Sequence, residues 1–324
     1  MKAVLWTKYG SPDLLKLGSV EKPKPKVDEV LVKTHAATVT PGDCEMRRFD
    51  MHVLFWLPLR LYMGIFKPKR PILGMELAGE IEEVGSEVKN FKKGDQVMAG
   101  TGLRFGAYAE YKCVKANSFI ASKPKNMGFA EAATIPTGAN NALHYIRMAN
   151  IQKGQRILII GAAGCFGTYA VQLAKMYEAE ITAIDSTNKL ETLRSIGADH
   201  VVDYTQEDFT ENGKSYDIIF DIAGKNSVSK NMKSLKKGGR YILATPWVKQ
   251  VLQGIWSSRT SGKKFIYSLA KERTEDLEHI KGLVETDQLK AVIDKHFYLH
   301  EIADAHKHVE KGSKIGHVSI LIAQ

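Results

Sequence analysis

Three evenly spaced glycines and one acidic residue form the clearest chemical pattern in this chain. The glycines are Gly161, Gly164 and Gly167, and Asp185 stands 24 positions after the first of them. Glycines at the start of a helix leave backbone N–H groups accessible, and such groups bind the pyrophosphate of a dinucleotide. A carboxylate at the end of the next strand accepts hydrogen bonds from the adenosine ribose. The pattern therefore predicts dinucleotide binding.

The sequence on either side of these residues predicts the strands and the helix that position them. An apolar run, 157–160, leads into the glycines, and a helical pattern continues from them to about Tyr177. A second apolar run, 181–184, ends at Asp185. Short runs of this kind are typical of strands buried in a parallel sheet. The segment predicts a strand–helix–strand unit, and the alternative is a flavodoxin-like fold that holds only a phosphate or no ligand.

The rest of this half of the chain continues to alternate strands and helices. We expect strands at 200–203, 216–221 and 240–244, with helices near 189–196 and 227–235. Such alternation predicts an α/β fold, in which a doubly wound parallel sheet has helices on both faces.

The first third of the chain has a different pattern. Short alternating runs such as 29–33 and 77–84 are separated by Pro and Gly, which predicts a mostly β structure over 1–122. The tail, with a helix at about 301–310 and an alternating strand at 317–322, returns to that pattern.

Length and composition favour a soluble protein of two domains. The 324 residues are 44% hydrophobic and 25% charged, and no apolar span approaches membrane length. The first ten residues have the pattern of a strand and not of a signal peptide. The cysteines, Cys44, Cys113 and Cys165, are odd in number and widely spaced, which favours a reducing cytoplasm.

The net charge of +10 comes from lysines that are spread along the chain. We interpret it as a solvated basic surface that also attracts an anionic cofactor. Nucleic-acid binding is the alternative that this charge leaves open, although we expect neither a nucleic acid nor a membrane as partner.

Motifs distributed over nearly the whole chain point to one superfamily. They lie at 74–80, 84–85, 105–110, 131–136, 161–167, 196–199, 203–204 and 220–224. In type and order they resemble those of the medium-chain dehydrogenases/reductases, specifically of the zinc-independent quinone oxidoreductase (zeta-crystallin-like) branch. The resemblance implies a GroES-like β-rich catalytic domain at 1–122, completed by 288–324, and a Rossmann dinucleotide-binding domain at 123–287.

The resemblance also implies a cleft between the two domains and a homodimer. Members of this branch usually pair through the edges of their Rossmann sheets. Here the edge strand is expected at 264–269, whose apolar side chains would otherwise be exposed at an unpaired edge.

Zinc is not expected. Zinc-dependent members hold the catalytic ion with Cys and His, which suit its tetrahedral preference. By resemblance the ligand positions are Thr40, Met75 and 137–140, where this chain has neither Cys nor His, and the four-cysteine lobe is missing. Glu76, which follows one of these positions, is interpreted as structural or as a support for the residues that line the site. The tail histidines have no ligand spacing and are interpreted as surface residues: His300, His306, His308 and His317.

The choice between NADP(H) and NAD(H) stays open at this stage. Asp185 repels a 2′-phosphate, which favours NAD(H). Lys189 stands where members of this branch often hold that phosphate, which favours NADPH, and a solvated surface lysine is the alternative. The predicted cofactor-binding residues are Gly161, Ala163, Gly164, Cys165, Phe166, Gly167, Asp185, Ser186, Lys189, Tyr204, Ala223 and Gly224.

A structural role is the alternative for Tyr204, and also for Asp221, which lies close to Gly224 in the sequence. Tyr204 is expected to stack on or border the adenosine, unless it is a half-buried strand aromatic. Gly224 is expected to keep the backbone clear of the cofactor, while Asp221, which ends the same strand, is interpreted as a helix cap.

The catalytic residues follow from the same resemblance. Segment 38–43 resembles the family's segment at the nicotinamide, where Thr40 can donate a hydrogen bond and Asp43 can orient the loop or relay a proton. Helix capping is the alternative for Asp43. Thr40, Asp43 and Tyr62 are the predicted catalytic residues.

Two apolar segments are expected to enclose the substrate. The stretch 49–66 can form a lid with Phe55, Trp56 and Tyr62, or it can pack on its own domain or a partner subunit. The stretch 246–262, with Trp247 and Trp256, can form the opposite wall.

Three functions remain open at this stage. The first is a zinc-free NAD(P)H-dependent reductase of quinones, enones or related apolar carbonyl compounds, whose anionic product needs only oriented donors. The second is an alcohol dehydrogenase without metal. The third is a low-turnover cofactor-binding sensor or nucleic-acid-binding protein.

Overall fold

The computed structural model describes residues 1–50, 53–225, 227–245 and 247–322, with the backbone alone at 53–55. The chain forms two compact units. The first comprises Met1–Thr137 together with Glu272–Gln324, and the second comprises Gly138–Lys271.

The described residues form fifteen β-strands and ten α-helices. The strands are β1 Lys2–Trp6, β2 Leu15–Ser19, β3 Glu29–Val39, β4 Glu76–Val84, β5 Gln96–Gly100, β6 Tyr111–Lys115, β7 Ile120–Ser122, β8 Arg156–Ile160, β9 Glu180–Asp185, β10 His200–Asp203, β11 Tyr216–Asp221, β12 Leu235–Leu243, β13 Lys264–Tyr267, β14 Ile293–Tyr298 and β15 His317–Leu321. The helices are α1 Pro41–Arg48, α2 Val53–Met63, α3 Phe129–Ala132, α4 Asn140–Ala149, α5 Cys165–Lys175, α6 Leu190–Ser195, α7 Val228–Asn231, α8 Val248–Ser261, α9 Thr274–Glu285 and α10 Ile302–Glu310.

The first unit is organised around a seven-stranded sheet that is mostly antiparallel. Its order is β14-β15-β3-β4-β5-β7, and β6 pairs with the first half of β3. The late strand β15 pairs with the early strand β3, so that Ile320 lies opposite Ala37. Apolar side chains of β3, such as Val30 and Val32, are fully buried and form part of the core of this unit.

The second unit confirms the predicted doubly wound sheet. Its six strands are all parallel and run in the order β10-β9-β8-β11-β12-β13. From β8 the strands β9 and β10 are added on one side, whereas β11, β12 and β13 are added on the other. Ligands of open α/β sheets bind at such a switch point, here between β8 and β11. The glycine loop follows β8, which is therefore the strand where a ligand is expected.

Several predicted elements differ in extent from the observed ones. The helix expected at 227–235 is the single turn α7, followed by a 3₁₀ turn, and β12 begins at Leu235 and not at 240. At the sheet edge, β13 ends at Tyr267, two residues before the predicted end. Two glycines, Gly238 and Gly239, lie inside β12.

The division of the chain differs from the predicted domains 1–122, 123–287 and 288–324. The contact boundaries fall after Thr137 and before Glu272. Helix α9 belongs to the first unit because it packs on β7 and because its Thr274 hydroxyl donates to the Ser118 carbonyl at 2.9 Å. An alternation of strands and helices does not reveal such a return, since α9 has the same amphipathic pattern as the preceding helices.

Among the described residues, none of the helices combines the length and the apolar character needed to cross a bilayer.

A buried guanidinium connects the two chain segments of the first unit. Arg47 of α1 is fully buried, donates to the Gly10 carbonyl and forms an ion pair with Glu310 of α10. The exposed Arg48 pairs with the same carboxylate. Breaking a buried ion pair on one side is strongly destabilising, because the remaining charge is left without compensation.

We expect Glu310→Ala to lower the free energy of unfolding by about 3 kcal/mol, since Arg47 would stay buried without its carboxylate. Urea unfolding followed by circular dichroism measures this change. Asp304→Ala is the matched control on α10, because Asp304 pairs only at the surface, with Lys307, and such pairs contribute little. Equal losses in both variants would contradict the role of Arg47.

Candidate functional site

The glycine loop between β8 and α5 is packed too tightly for side chains at two positions. A Cβ on Gly167 would lie 2.4 Å from the Ala162 carbonyl oxygen, so that α5 can start against the loop only with glycine here. Gly161 has a φ of +78°, and a Cβ on it would lie 3.1 Å from the Ala223 Cβ. These two glycines are thus required by the fold itself.

Gly164 is different, because the chain does not require a glycine at that position. Its φ of −77° suits any residue, and a Cβ would approach only the Gly161 carbonyl oxygen, at 3.3 Å. It caps α5 without a side chain, and the first-turn N–H groups of Phe166 and Gly167 have no helical carbonyl to donate to. Gly164 thus keeps clear a space bordered by helix N–H groups, which fits the pyrophosphate of a dinucleotide.

Asp185 braces this loop from the end of β9. Its Oδ2 accepts the Ala163 N–H at 3.0 Å, and its Oδ1 accepts the Ser186 N–H at 2.9 Å. The Lys189 ammonium lies 3.0 Å from Oδ1, and both side chains of this ion pair are buried. Both carboxylate oxygens are therefore engaged within the protein, where a hydrogen bond to the ribose was predicted. Lys189 is therefore not the solvated surface lysine that was the alternative. The N–H group of Ala163, a predicted cofactor-binding residue, donates to Asp185.

The remaining predicted cofactor residues surround the carboxyl ends of the central strands. Tyr204 is 59% exposed, so it is not a half-buried strand aromatic, and its N–H donates to the Asp185 carbonyl at 3.3 Å. Cys165 is buried and Phe166 half-buried in the first turn of α5. Ser186 is half-buried, and its hydroxyl contacts Asn188 at 3.1 Å.

The turn after β11 is fixed by a buried carboxylate. Asp221 accepts the Tyr241 hydroxyl at 2.5 Å and the Gly224 N–H at 2.8 Å, and burial raises its pKa. The reading of Asp221 as a helix cap is therefore wrong, since α7 begins after Ser227. Gly224 has a φ of +58°, and a Cβ on it would lie 3.0 Å from the Thr245 hydroxyl, so the turn itself requires glycine.

In the first unit, Thr40 and Asp43 form the start of α1. The Asp43 N–H donates to the Thr40 hydroxyl at 3.2 Å, and the Thr40 N–H and hydroxyl donate to Asp43 Oδ2 at 2.9 and 2.6 Å. This reciprocal arrangement is a capping box, and both residues are buried. It agrees with the capping alternative for Asp43, and it directs the Thr40 hydroxyl proton to a carboxylate and not to a substrate.

Glu76 is a buried acid that the sequence analysis interprets as structural or as a support for the residues that line the site. It is fully buried, and its carboxylate accepts the Thr38 hydroxyl and, at 2.7 Å, the Thr137 N–H. Burial raises the pKa of Glu76 to about 7, although the nearby His317 and the two hydrogen bonds act in the opposite direction. The only sequence signal was a carboxylate inside an apolar strand, in the motif 74–80.

Tyr62 lies on the partly exposed helix α2. Its ring is 45% exposed, and the Arg70 guanidinium lies over it at 4.8 Å. The ring of Trp56, which is also exposed, makes an edge-to-face contact with the Phe49 ring, with the ring centroids 5.9 Å apart. Of the predicted lid, Met51, His52 and the Phe55 side chain lie outside the described residues.

The predicted opposite wall, 246–262, corresponds to α8 of the second unit. Its Trp247 and Trp256 are both exposed, whereas Pro246 lies outside the described residues. No contact with a substrate can be read from either segment alone.

Two of the tail histidines are not surface residues. His306 and His317 are fully buried, which corrects the prediction for both. His306 Nδ1 lies 3.3 Å from the Cys44 Sγ, and burial, reinforced by Arg47 and Arg48, lowers the pKa of His306 to about 3. Because imidazole and thiol are both neutral there, the pair packs as a weakly polar core contact.

The residues at the expected zinc positions do not provide a zinc donor set. The Thr40 hydroxyl is held in the capping box, and Met75 offers a thioether where the ion prefers imidazole or thiolate. Within the described ranges, His, Cys, Asp and Glu side chains form no group of three or more that could hold a metal ion.

We expect Glu76 to make the protein less stable as the pH rises. Its pKa is raised from 4.5 to about 7 in the folded state, so the stability that it contributes is complete below about 4.5 and is lost as the pH rises through 7. Relative to Glu76→Gln, the free energy of unfolding of the wild type should fall by roughly 3 kcal/mol from about pH 5 to about pH 8.

Urea titrations at a series of pH values measure this difference. Glu83→Gln, at the exposed end of the same strand, is the control and should run parallel to the wild type. Parallel curves for Glu76→Gln would contradict the assignment.

Comparison with known proteins places the chain in a family. Residues 26–125 match the family model described as "Alcohol dehydrogenase GroES-like domain", and residues 196–319 match the one described as "Zinc-binding dehydrogenase". The 2-methylene-furan-3-one reductase of Solanum lycopersicum is 33% identical over 99% of this chain and 79% of its own length. The chloroplastic NADPH-dependent alkenal/one oxidoreductase of Arabidopsis thaliana is 32% identical over the same shares.

A solved structure agrees with these relatives. The quinone oxidoreductase from Coxiella burnetii superimposes with a TM-score of 0.88 and 28% identity, and the match covers 100% of this chain and 99% of that one. Together with the parallel sheet and the glycine loop after β8, these matches show that the chain is an oxidoreductase of the medium-chain dehydrogenase/reductase superfamily.

Proposed function

We propose that this chain is an NADPH-dependent reductase of quinones and enones that works without zinc. The observation that carries the proposal is Gly164, which keeps open a space at the start of α5 that the fold itself does not need. The relatives' names support the substrate class, since they describe reductases of a furanone, of alkenals and alkenones, and of quinones.

The chemistry asks little of the protein. When bound, the reduced nicotinamide supplies a hydride. In a conjugated enone or a quinone, the negative charge that develops is spread over several atoms, so one oriented donor is sufficient to stabilise it. This substrate class suits a chain that has Thr40 and Met75 at the positions expected for zinc ligands.

On the coenzyme side, each group has a defined task. The N–H groups of Phe166 and Gly167 bind the pyrophosphate, and Asp185 holds the loop that presents them. Tyr204, exposed directly after β10, offers a flat face to the adenosine. Ala223 packs beside Gly161 and keeps the two turns in contact.

On the substrate side, Tyr62 is the donor that we propose. Within the described part of the chain its hydroxyl has no hydrogen-bond partner, so it can donate to a substrate oxygen. Thr40 and Asp43 are proposed as positioning residues, because their capping box fixes the start of α1.

Alanine at position 164 tests the cofactor site directly. Gly164→Ala should fold, because the φ of −77° suits alanine and the single close contact of the new methyl group, 3.3 Å from the Gly161 carbonyl oxygen, needs a shift of only a few tenths of an ångström. It should weaken NADPH binding by at least about tenfold, since it occupies the space in front of the helix N–H groups. Gly282→Ala on α9, where a Cβ meets no atom within 4 Å, is the matched control.

The assay is NADPH oxidation followed at a series of quinone, enone, aldehyde and alcohol concentrations. Turnover of quinones or enones by the wild type, lost at low NADPH in Gly164→Ala, is the expected outcome. Activity only toward alcohols would favour an alcohol dehydrogenase, and no turnover together with salt-sensitive RNA binding would favour a sensor or nucleic-acid binder.

Lys189 accounts for the proposed preference for NADPH. Its ammonium neutralises Asp185, so the repulsion that this carboxylate would exert on a 2′-phosphate is offset. Lys189→Met should therefore weaken NADPH binding by roughly tenfold more than NADH binding.

Dissociation constants of the two reduced cofactors, measured by fluorescence titration, give this ratio. Lys175→Met is the control, because Lys175 forms a surface pair with Asp199 in the same unit. An unchanged ratio in Lys189→Met would contradict the proposed role.

The assembly and location are further parts of the proposal. Strand β13 lies at the edge of the parallel sheet, with Tyr267 and Leu269 exposed, which supports a homodimer formed through this edge. A cytoplasmic location is proposed from the three free cysteines.

A further inference from the structure

A cavity of about 670 Å³ lies in the first unit, and none of the predicted cofactor-binding or catalytic residues lines it. Strand β6, the segment 69–72 and the turn 100–106 contribute to its walls. Two carboxylates line it, those of Glu21 and Glu29. Five basic side chains also line it: Lys69, Arg70, Arg104, Lys112 and Lys115. The cavity therefore has a clear excess of positive charge.

Lys112 is one of three basic groups in this cavity, with Arg70 and Arg104, to which the described residues give no hydrogen bond or ion pair. Its side chain passes close to Gly106, where a Cβ would lie 2.6 Å from the Lys112 Nζ. Across the described ranges, this ammonium makes no hydrogen bond and no ion pair. By contrast, Lys115 pairs with Asp28 at 3.0 Å, and Lys69 donates to the Leu61 carbonyl at 2.8 Å.

The surroundings make the Lys112 ammonium unfavourable while the cavity holds only water. Burial lowers the pKa of Lys112, and Arg104 and Arg70 lower it further, whereas Cys113 and Glu29 act in the opposite direction. A partly buried cation beside two guanidinium groups is destabilising unless an anion compensates it. An anion in the cavity would compensate all three.

We propose that this cavity binds a phosphate group through Lys112, Arg104 and Arg70. Two planar guanidinium groups and one compact ammonium match the several acceptor oxygens and the double charge of a phosphate monoester. Pro71 and Ile72 supply apolar wall beside the basic groups and accommodate the carbon portion of such a ligand. The phosphate belongs either to a soluble phosphate ester or to a phospholipid headgroup.

Inorganic pyrophosphate is the probe for the soluble source. Its binding to the full chain is measured by calorimetry with NADPH present at saturation, so that the glycine loop is occupied. Lys112→Met should weaken binding by at least about tenfold, because one charged hydrogen-bond donor is lost. Lys112→Arg, which keeps the charge, should retain most of the affinity.

Lys115→Met is the control within the same cavity, since the Lys115 charge is already compensated by Asp28. It should bind pyrophosphate as the wild type does. Lys112→Met should also keep or increase the melting temperature, because it removes an unpaired, partly buried charge. If Lys112→Met is folded but no longer binds pyrophosphate, the loss of binding is caused by the missing ammonium group and not by unfolding.

Sedimentation with phosphatidylcholine vesicles, with and without phosphatidic acid, tests the lipid source. Binding that requires both phosphatidic acid and Lys112 would assign the site to a headgroup, and pyrophosphate binding alone would assign it to a soluble ester. Absence of both, or equal binding by the wild type and Lys112→Met, would overturn the proposal. If NADPH does not bind, the proposed function fails. The difference in pyrophosphate binding between the wild type and Lys112→Met still tests the cavity.

Discussion

The conformation of the glycine loop depends on the hydrogen bonds and the ion pair of the Asp185 carboxylate. This carboxylate is buried at the end of β9, where it accepts backbone N–H groups of Ala163 and Ser186 and pairs with Lys189. A buried carboxylate is stable only when hydrogen bonds and an opposite charge replace its lost hydration. The three contacts together hold the glycine loop against the second strand. They also reduce the negative potential that a phosphorylated ribose would meet.

In the first unit, the buried carboxyl group of Glu76 has a similar structural role. Glu76 is buried and accepts the Thr38 hydroxyl and the Thr137 N–H, while the Tyr108 hydroxyl donates to the Thr38 carbonyl. In this unit, too, side-chain oxygens and backbone groups fix the segment that precedes α1. The difference lies in compensation, because no lysine or arginine is among the groups that act on Glu76. Burial therefore outweighs these contacts and raises the pKa of Glu76 to about 7.

The strands and the glycine loop were predictable from the sequence because local patterns determine them. The apolar runs before and after the loop are β8 and β9, and Gly167 is required by a contact within the same turn. Features that depend on long-range packing were not predictable. The burial of His306 results from its contact with Cys44, 262 positions earlier in the chain. The same holds for the boundaries of the units, since α9 joins the first unit through Ser118 and β7.

The pairing of β15 with β3 affects the order in which the two units can fold during protein synthesis. The second unit is one continuous segment, Gly138–Lys271, so all its strands are available once that segment has emerged. The first unit must wait, because β3 can pair early with β4 and β6 but lacks its third neighbour, β15, until residues 317–321 have been synthesised. Until then, the side of β3 that β15 later covers is an open edge, prone to pair with other chains. The first unit is therefore completed only after the second unit has been synthesised, and chaperones can act on the open edge during that interval.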